Sequence, residues 1–317
     1  MRLRYLTLLP LLASLPAMGI TFQDRIEKAG WKVEGDQFEC RLSQDVPRFG
    51  TGEFVRRAGE QPTFRLKTSE NWLSQGSATL LAAATPWQPG RGDESLGSIR
   101  IQSGNTPLNT SESQGRRLLT GLMEGRSPLI KSRSRNGDPL EVRILPARFE
   151  SAYQDFQLCA AKLLPVNFDQ IRHSLVGFPK GGSDLDEVAR NKLDIILQYL
   201  KADPTVNHVV ISGFTDNSGN RLDNRQESRL RAMAVMQYLK ASGVPEEQME
   251  IRFFGEQYPL VANNSKANRA KNRRVSMVFT REPVASDSKP ESSTAAPADA
   301  PAAVPATASQ GGKPSSY

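Results

Sequence analysis

The sequence predicts an α+β protein: an N-terminal all-β domain, sandwich or barrel-like, then a two-layer α/β domain of order β-α-β-α-β-β and a disordered C-terminal tail. Three observations carry that expectation. Short runs with period-two alternation, separated by turn residues, fill the first part of the chain. After Leu163–Pro165 strands begin to alternate with helical stripes, the pattern of a two-layer α/β unit. From Pro283 onward Pro, Ala and Ser dominate without apolar periodicity, so that stretch has too little apolar surface to order itself. At 317 residues, 38% hydrophobic and 24% charged, the chain is long enough for two such domains and a tail.

The chain opens with Arg2 and Arg4, then an apolar run from Tyr5 to Leu15, then Ala17 and Gly19 ahead of Ile20. This is the three-part pattern of a secretory signal peptide, residues 1–19. The run is shorter than the ~20 residues a spanning helix needs, which favours a cleaved signal over an anchor. No cysteine stands at the cut, so no lipid anchor is expected, and no later stretch is apolar enough to span as a helix. The expected location is the periplasm, with no transmembrane segment in the mature chain. The formal charge of +7 loses two cations with the signal and spreads the rest over both domains. Nucleic acid is therefore not an expected partner.

Residues 20–160 form the β-rich domain. Its strands are expected at Trp31–Val33, Phe38–Leu42, Phe54–Arg56, Thr63–Lys67, Ala78–Ala82, Ser98–Gln102 and Leu140–Leu145. Phe64 and Leu66, and Leu140, Val142 and Ile144, alternate with polar neighbours as half-buried strands do. A helix is expected around Ser113–Met123. Cys40 and Cys159 are the only cysteines. In an oxidising compartment such a pair reads as a disulfide, with two buried free thiols as the alternative. Closing so long a loop would contribute ~4–5 kcal/mol in the loop-entropy model. The two histidines, His173 and His208, lie far from both cysteines, so no metal site and no cofactor are expected.

Residues 161–282 form the second domain. Val166–Phe168 reads as a short strand. Ser183 is placed to cap a helix whose stripe is Leu185, Val188, Lys192, Ile196 and Leu200, ending at Asp203–Pro204. His208–Ser212 is the next strand, and a helix from Asn224 to Ala241 ends at Gly243. Glu250–Phe254 and Val275–Thr280 close the series. Residues 283–317 are the tail.

The chemistry concentrates in Gly213-Phe214-Thr215-Asp216-Asn217-Ser218-Gly219, followed by Asn224, Arg231-Ala232 and Asn272-Arg273-Arg274-Val275. Asp216 falls just after a strand and Arg231 within the following helix, which packs back on the sheet. Both are thus placed to face one pocket. Opposed fixed charges suit a zwitterionic ligand end, the carboxylate accepting from an ammonium and the guanidinium forking onto a carboxylate. Gly213 and Gly219 let the backbone turn tightly and approach a ligand. The run Lys266, Arg269, Lys271, Arg273, Arg274 lacks interleaved aromatics and reads as a solvated or wall-facing edge. Phe253, Phe254, Phe279 and Tyr238 sit at core spacing.

This set resembles the OmpA-like peptidoglycan-binding domain, with Val166-Asn167-Phe168-Asp169 as its opening strand. The resemblance implies that Asp216 and Arg231 hold the meso-diaminopimelate of the wall peptide, that Thr215 and Asn224 shape the loop, and that Arg274 supports the pocket. Two positions depart from the family pattern: Glu227 stands where Leu is usual, and Phe214 where His or Tyr is common. The β domain joined to it, with its cysteine pair and the segment Phe149–Cys159, resembles the MotY-like family of periplasmic flagellar motor proteins. That resemblance implies a non-enzymatic structural role. The first domain would dock on the flagellar basal body, form a ring with other periplasmic proteins and place stator proteins, while the second binds peptidoglycan. Arg56-Arg57 and Arg116-Arg117 are candidate docking pairs. The alternative is a general envelope-integrity anchor with the same wall clamp. A catalytic first domain is not expected, since it has no histidine and Asp93, Glu94 and Glu141 show no recognisable spacing.

Overall fold

A computed structural model of the chain describes residues 19–85 and 92–281. The expected signal peptide, apart from Gly19, and the expected tail lie outside the described residues. The first part contains β1 (Ile20–Phe22), β2 (Lys32–Gly35), β3 (Glu39–Val46), β4 (Gly50–Arg57), β5 (Thr63–Thr68), β6 (Gly76–Ala83), β7 (Glu94–Ile101) and β8 (Leu108–Asn109). They are followed by α1 (Glu112–Met123), β9 (Ser127–Arg133), β10 (Pro139–Arg143) and α2 (Phe149–Ala160). The strands make two five-stranded sheets, β1-β10-β9-β6-β7 and β2-β3-β4-β5-β8. Only β1 with β10 is a parallel pairing among them.

One core lies between the sheets. Leu42, Phe54, Phe64 and Leu66 from one meet Leu80, Ile130, Leu140 and Val142 from the other, all buried. Strand β3 shows why the alternation was readable, since Cys40, Leu42, Gln44 and Val46 point inward while their neighbours do not. Ser111 caps α1 in a capping box with Gln114. Helix α2 turns Phe149, Ala152, Phe156 and Ala160 inward. Its Cys159 is bonded to Cys40 of β3, with a Cα–Cα distance of 6.1 Å.

The second part contains α3 (Phe168–Ile171), β11 (His173–Gly177), α4 (Glu187–Ala202), β12 (His208–Phe214), α5 (Arg221–Ala241), β13 (Met249–Phe253), α6 (Lys266–Asn272) and β14 (Arg274–Thr280). Its sheet has the order β11-β14-β12-β13, with β12 and β13 parallel and the other pairs antiparallel. Helices α4 and α5 cover one side, burying Leu193, Ile196, Leu197, Val235 and Leu239 against Val209, Ile211, Val275 and Met277. Gly243, at φ +99°, ends α5.

Two local expectations are corrected. Val166–Phe168 is not a strand: Asn167 caps the one-turn α3 in a capping box with Gln170, and the opening strand is β11. The Asn167 side chain accepts from the Gln170 amide, which competes successfully with strand pairing. Helix α4 is capped by Asp186 rather than Ser183. Its buried stripe runs through Ala189, Leu193, Ile196 and Leu197, about one residue or roughly 100° from the expected one. Val188 is left 76% exposed.

The two parts are tied together. Leu164 N–H donates to Gln37 O, and Asn167 Nδ2 donates to Ala58 O (3.0 Å) and Glu60 Oε1 (2.7 Å). Arg57 pairs with Asp169 at 3.0 Å, and Phe38 packs edge-on to Tyr199. The described residues form one compact unit. Of the candidate docking pairs, Arg57 is committed to these contacts and Arg117 to Glu94. Among the described residues no helix is long and apolar enough to cross a membrane.

Candidate functional site

β11, β12 and β13 end at one edge of the second sheet, where β14 begins, and the loops there gather the charged side chains. The approach of α5 to β12 sets the geometry. A Cβ on Gly213 would lie 1.9 Å from the Ser228 carbonyl oxygen, so this glycine serves helix-on-strand packing. After β12 the chain turns through Gly219 (φ +85°) to Asn220, which caps α5 by accepting from Asp223 N–H.

Asp216 is held from two sides. Oδ1 accepts from Ser218 N–H (2.8 Å), and Oδ2 accepts from Arg273 Nη1 (2.6 Å). Burial pushes its carboxyl up, but the Ser218 and Arg273 hydrogen bonds outweigh that and hold its pKa below the usual aspartate value. Arg231 lies on the inner face of α5 with its side chain only 3% exposed. Nε donates to Gly182 O (2.7 Å), Nη1 to Phe214 O (3.1 Å) and Nη2 to Glu227 Oε1 (3.1 Å). Burial lowers its pKa, with the Glu227 charge opposing; the group stays a cation.

Asp216 and Arg231 both lie at this edge, yet each has its own opposite charge: Arg273 for Asp216, Glu227 for Arg231. Arg273 stands in both the Asn272–Val275 motif and the basic run, and neither gave it a role at Asp216. It also donates to the carbonyls of Phe178 and Pro179, so both arginines pin the loop after β11. Glu227, which stands where the family pattern has Leu, is an ion-pair partner one helical turn from Arg231. Thr215 is buried, and its N–H donates to Gly255 O (2.8 Å). Its hydroxyl has no hydrogen-bond partner among the described residues. Asn224 Nδ2 donates to Glu256 Oε2 (2.7 Å), bracing the loop after β13. Arg274 turns away from Asp216 and lies 4.1 Å over the Phe214 ring, where burial lowers its pKa. Among the described residues no group of three or more His, Cys, Asp or Glu is placed to hold a metal.

Residues 22–165 match the MotY N-terminal domain and residues 177–273 match the OmpA family. The chain is 24% identical over 277 residues to the sodium-type flagellar protein MotY of Vibrio parahaemolyticus, covering 86% of this chain and 94% of that one. It is 38% identical over 100 residues to a peptidoglycan-associated lipoprotein of Pseudomonas putida, which is 32% of this chain and 59% of that one. A solved peptidoglycan-associated lipoprotein from Burkholderia pseudomallei aligns with 31% identity and a TM-score of 0.32, over 33% of this chain and 89% of that one. Neither matched family is a family of enzymes. The chain is a MotY-like protein, a MotY N-terminal domain followed by a C-terminal OmpA-like domain.

Proposed function

We propose that this chain is a periplasmic peptidoglycan-binding protein of the flagellar motor. In this reading residues 20–160 dock on the basal body, form part of a periplasmic ring and position stator units. Residues 161–282 hold that ring to the wall. One observation carries the reading: both matched families occur in one chain, and the OmpA-like part presents a buried arginine and an ion-paired aspartate on a single sheet edge.

The ligand end is the zwitterionic carbon of meso-diaminopimelate. Its ammonium is taken by the Asp216 carboxylate, and its carboxylate by the Nη2 edge of Arg231 in place of Glu227. The bonds from Nε to Gly182 O and from Nη1 to Phe214 O hold the guanidinium plane, so little rotamer entropy is left to lose on binding. Thr215 and Asn224 shape the loop, Gly213 seats the helix behind it, and Arg274 supports it from beneath. Each contact is weak, but a ring of copies facing a repeating wall polymer sums them through effective concentration.

The test is co-sedimentation with isolated sacculi together with swimming assays. Asp216→Ala and Arg231→Ala are each expected to weaken sacculus binding by roughly 10- to 100-fold, the range for losing a charged hydrogen bond. Cells carrying either variant should assemble flagella and swim poorly. Undiminished binding by both variants would overturn the site. Normal swimming with detergent sensitivity would instead favour the general envelope anchor.

A further inference from the structure

The sheet edge that holds Asp216 carries a second group of side chains that the charged site does not use. Tyr258 and Leu260, two residues apart in the loop after β13, are 67% and 53% exposed. Tyr258 has φ +58°, a left-handed conformation that a bulky residue rarely adopts. An exposed aromatic held in that conformation gains no core burial in return.

The loop beneath is firmly built. Asn272 is fully buried, and its oxygen accepts from the N–H groups of Leu260 (2.9 Å) and Val261 (3.1 Å). Its amide donates to Val261 O (2.8 Å) and Asn263 Oδ1 (2.7 Å). Arg274 Nη2 donates to Tyr258 O (3.0 Å) while its guanidinium covers Phe214. A run of rings continues outward, with Phe214 on Phe254 at 5.3 Å and Phe254 edge-on to Tyr258 at 5.5 Å. Three consecutive residues therefore do three jobs. Asn272 holds the platform, Arg273 holds Asp216, and Arg274 joins the platform to the Asp216 loop.

We propose that Tyr258 and Leu260 form a sugar-contacting subsite, taking the glycan unit that bears the stem peptide bound at Asp216 and Arg231. The proposal rests on that reading of the charged site. The apolar C–H face of a pyranose matches an aromatic ring, and tyrosine adds a polar tip. The spacing also fits. Two residues of extended peptide and the lactyl linker separate diaminopimelate from the sugar and reach on the order of three residue lengths, roughly 10 Å, comparable to the two ring-to-ring steps leading out from Phe214.

Calorimetric titration of the full mature chain with two probes tests it: the disaccharide-tripeptide muropeptide, and the free stem tripeptide without sugar. Tyr258→Asn, which tolerates the left-handed backbone, is expected to weaken muropeptide binding about fivefold, the scale of one aromatic contact. It should leave tripeptide binding unchanged, and Tyr258→Phe should retain most muropeptide affinity. Equal affinities of the wild-type chain for the two probes would overturn the subsite, as would Tyr258→Asn affecting both probes alike or neither. Asp216→Asn is expected to abolish binding of both. If it abolishes neither, the charged site is wrong, and a muropeptide-selective loss in Tyr258→Asn still reports on the sugar contact.

Discussion

Arg231 reaches its position with an acid already on it. Glu227 lies one turn earlier on α5 and accepts from Nη2, the edge proposed above for the ligand carboxylate. Arg231 is buried and Glu227 about a third exposed, and Nε and Nη1 keep their carbonyl acceptors whether or not Glu227 stays, so the acid can be displaced from Nη2 yet still opposes a second anion. Glu227→Gln is expected to bind sacculi about twofold to fivefold more tightly, with a melting temperature close to wild type. Weaker binding in the same co-sedimentation assay would mean that Glu227 orients the arginine instead. At this scale the placement of the two proposed poles on one sheet edge was legible: an aspartate in a Gly-bounded loop after a strand and an arginine on the next helix. Their partners were not. Arg273 and Arg274 are adjacent and chemically identical, and only the turn from α6 into β14 sends one to Asp216 and the other onto Phe214.

At the scale of elements, α5 and β12 form the joint on which the site depends. Ser228, directly over Gly213, is fully buried and leaves no room for a methyl group. Gly213→Ala is expected to destabilise the chain by about 3 kcal/mol or more, beyond ordinary overpacking, because the clash is with backbone. Urea unfolding would measure it, and a loss under 1 kcal/mol would show that the helix can lift without consequence. β3, β5 and β10 were legible because one face of each is buried and period two survives in the sequence. β9 was missed because Ser127, Pro128, Leu129 and Ile130 are all buried, which erases alternation. β1 and β8 are too short for any period. Helix α2 opens on Arg148 at φ +56° without a side-chain cap, so no start signal marked it. The N-x-x-Q box at Asn167 was a readable helix start that the apolar pair around it disguised as a strand.

For the whole molecule, the contact between the two parts includes a titratable cluster. Tyr199 stacks edge-on to Phe38 from the first part and donates to Asp203 (3.0 Å). Arg281 Nη2 pairs with Asp203 (2.7 Å), and its guanidinium lies 3.9 Å over Phe168. Burial, then the Asp203 hydrogen bond, pushes the Tyr199 hydroxyl up to about 12, against ~10 in an unfolded chain. Between those values the folded state keeps a proton that the unfolded state has lost. This contribution is therefore fully present below ~10 and falls away as pH rises toward 12. Urea midpoints should drop more steeply between pH 9.5 and 11 (roughly the onset of this window) in wild type than in Tyr199→Phe. Parallel slopes would sink that assignment.

The Cys40–Cys159 bond has a mechanical meaning. A pull from the wall side enters the first part through the segment after α2, and at Cys159 it passes directly to Cys40 in β3. The chain between them, a sequence separation of 119, is bypassed, so some 400 Å of potential chain extension, at ~3.3–3.6 Å per residue, cannot be released under load. Helices α1 and α2 and strands β4 to β10 then act as passengers on a covalent short circuit. The stretchable length between the edge that carries Asp216 and β3 reduces to the folded second part and a few connecting residues, so in the proposed role the chain is a stiff tether.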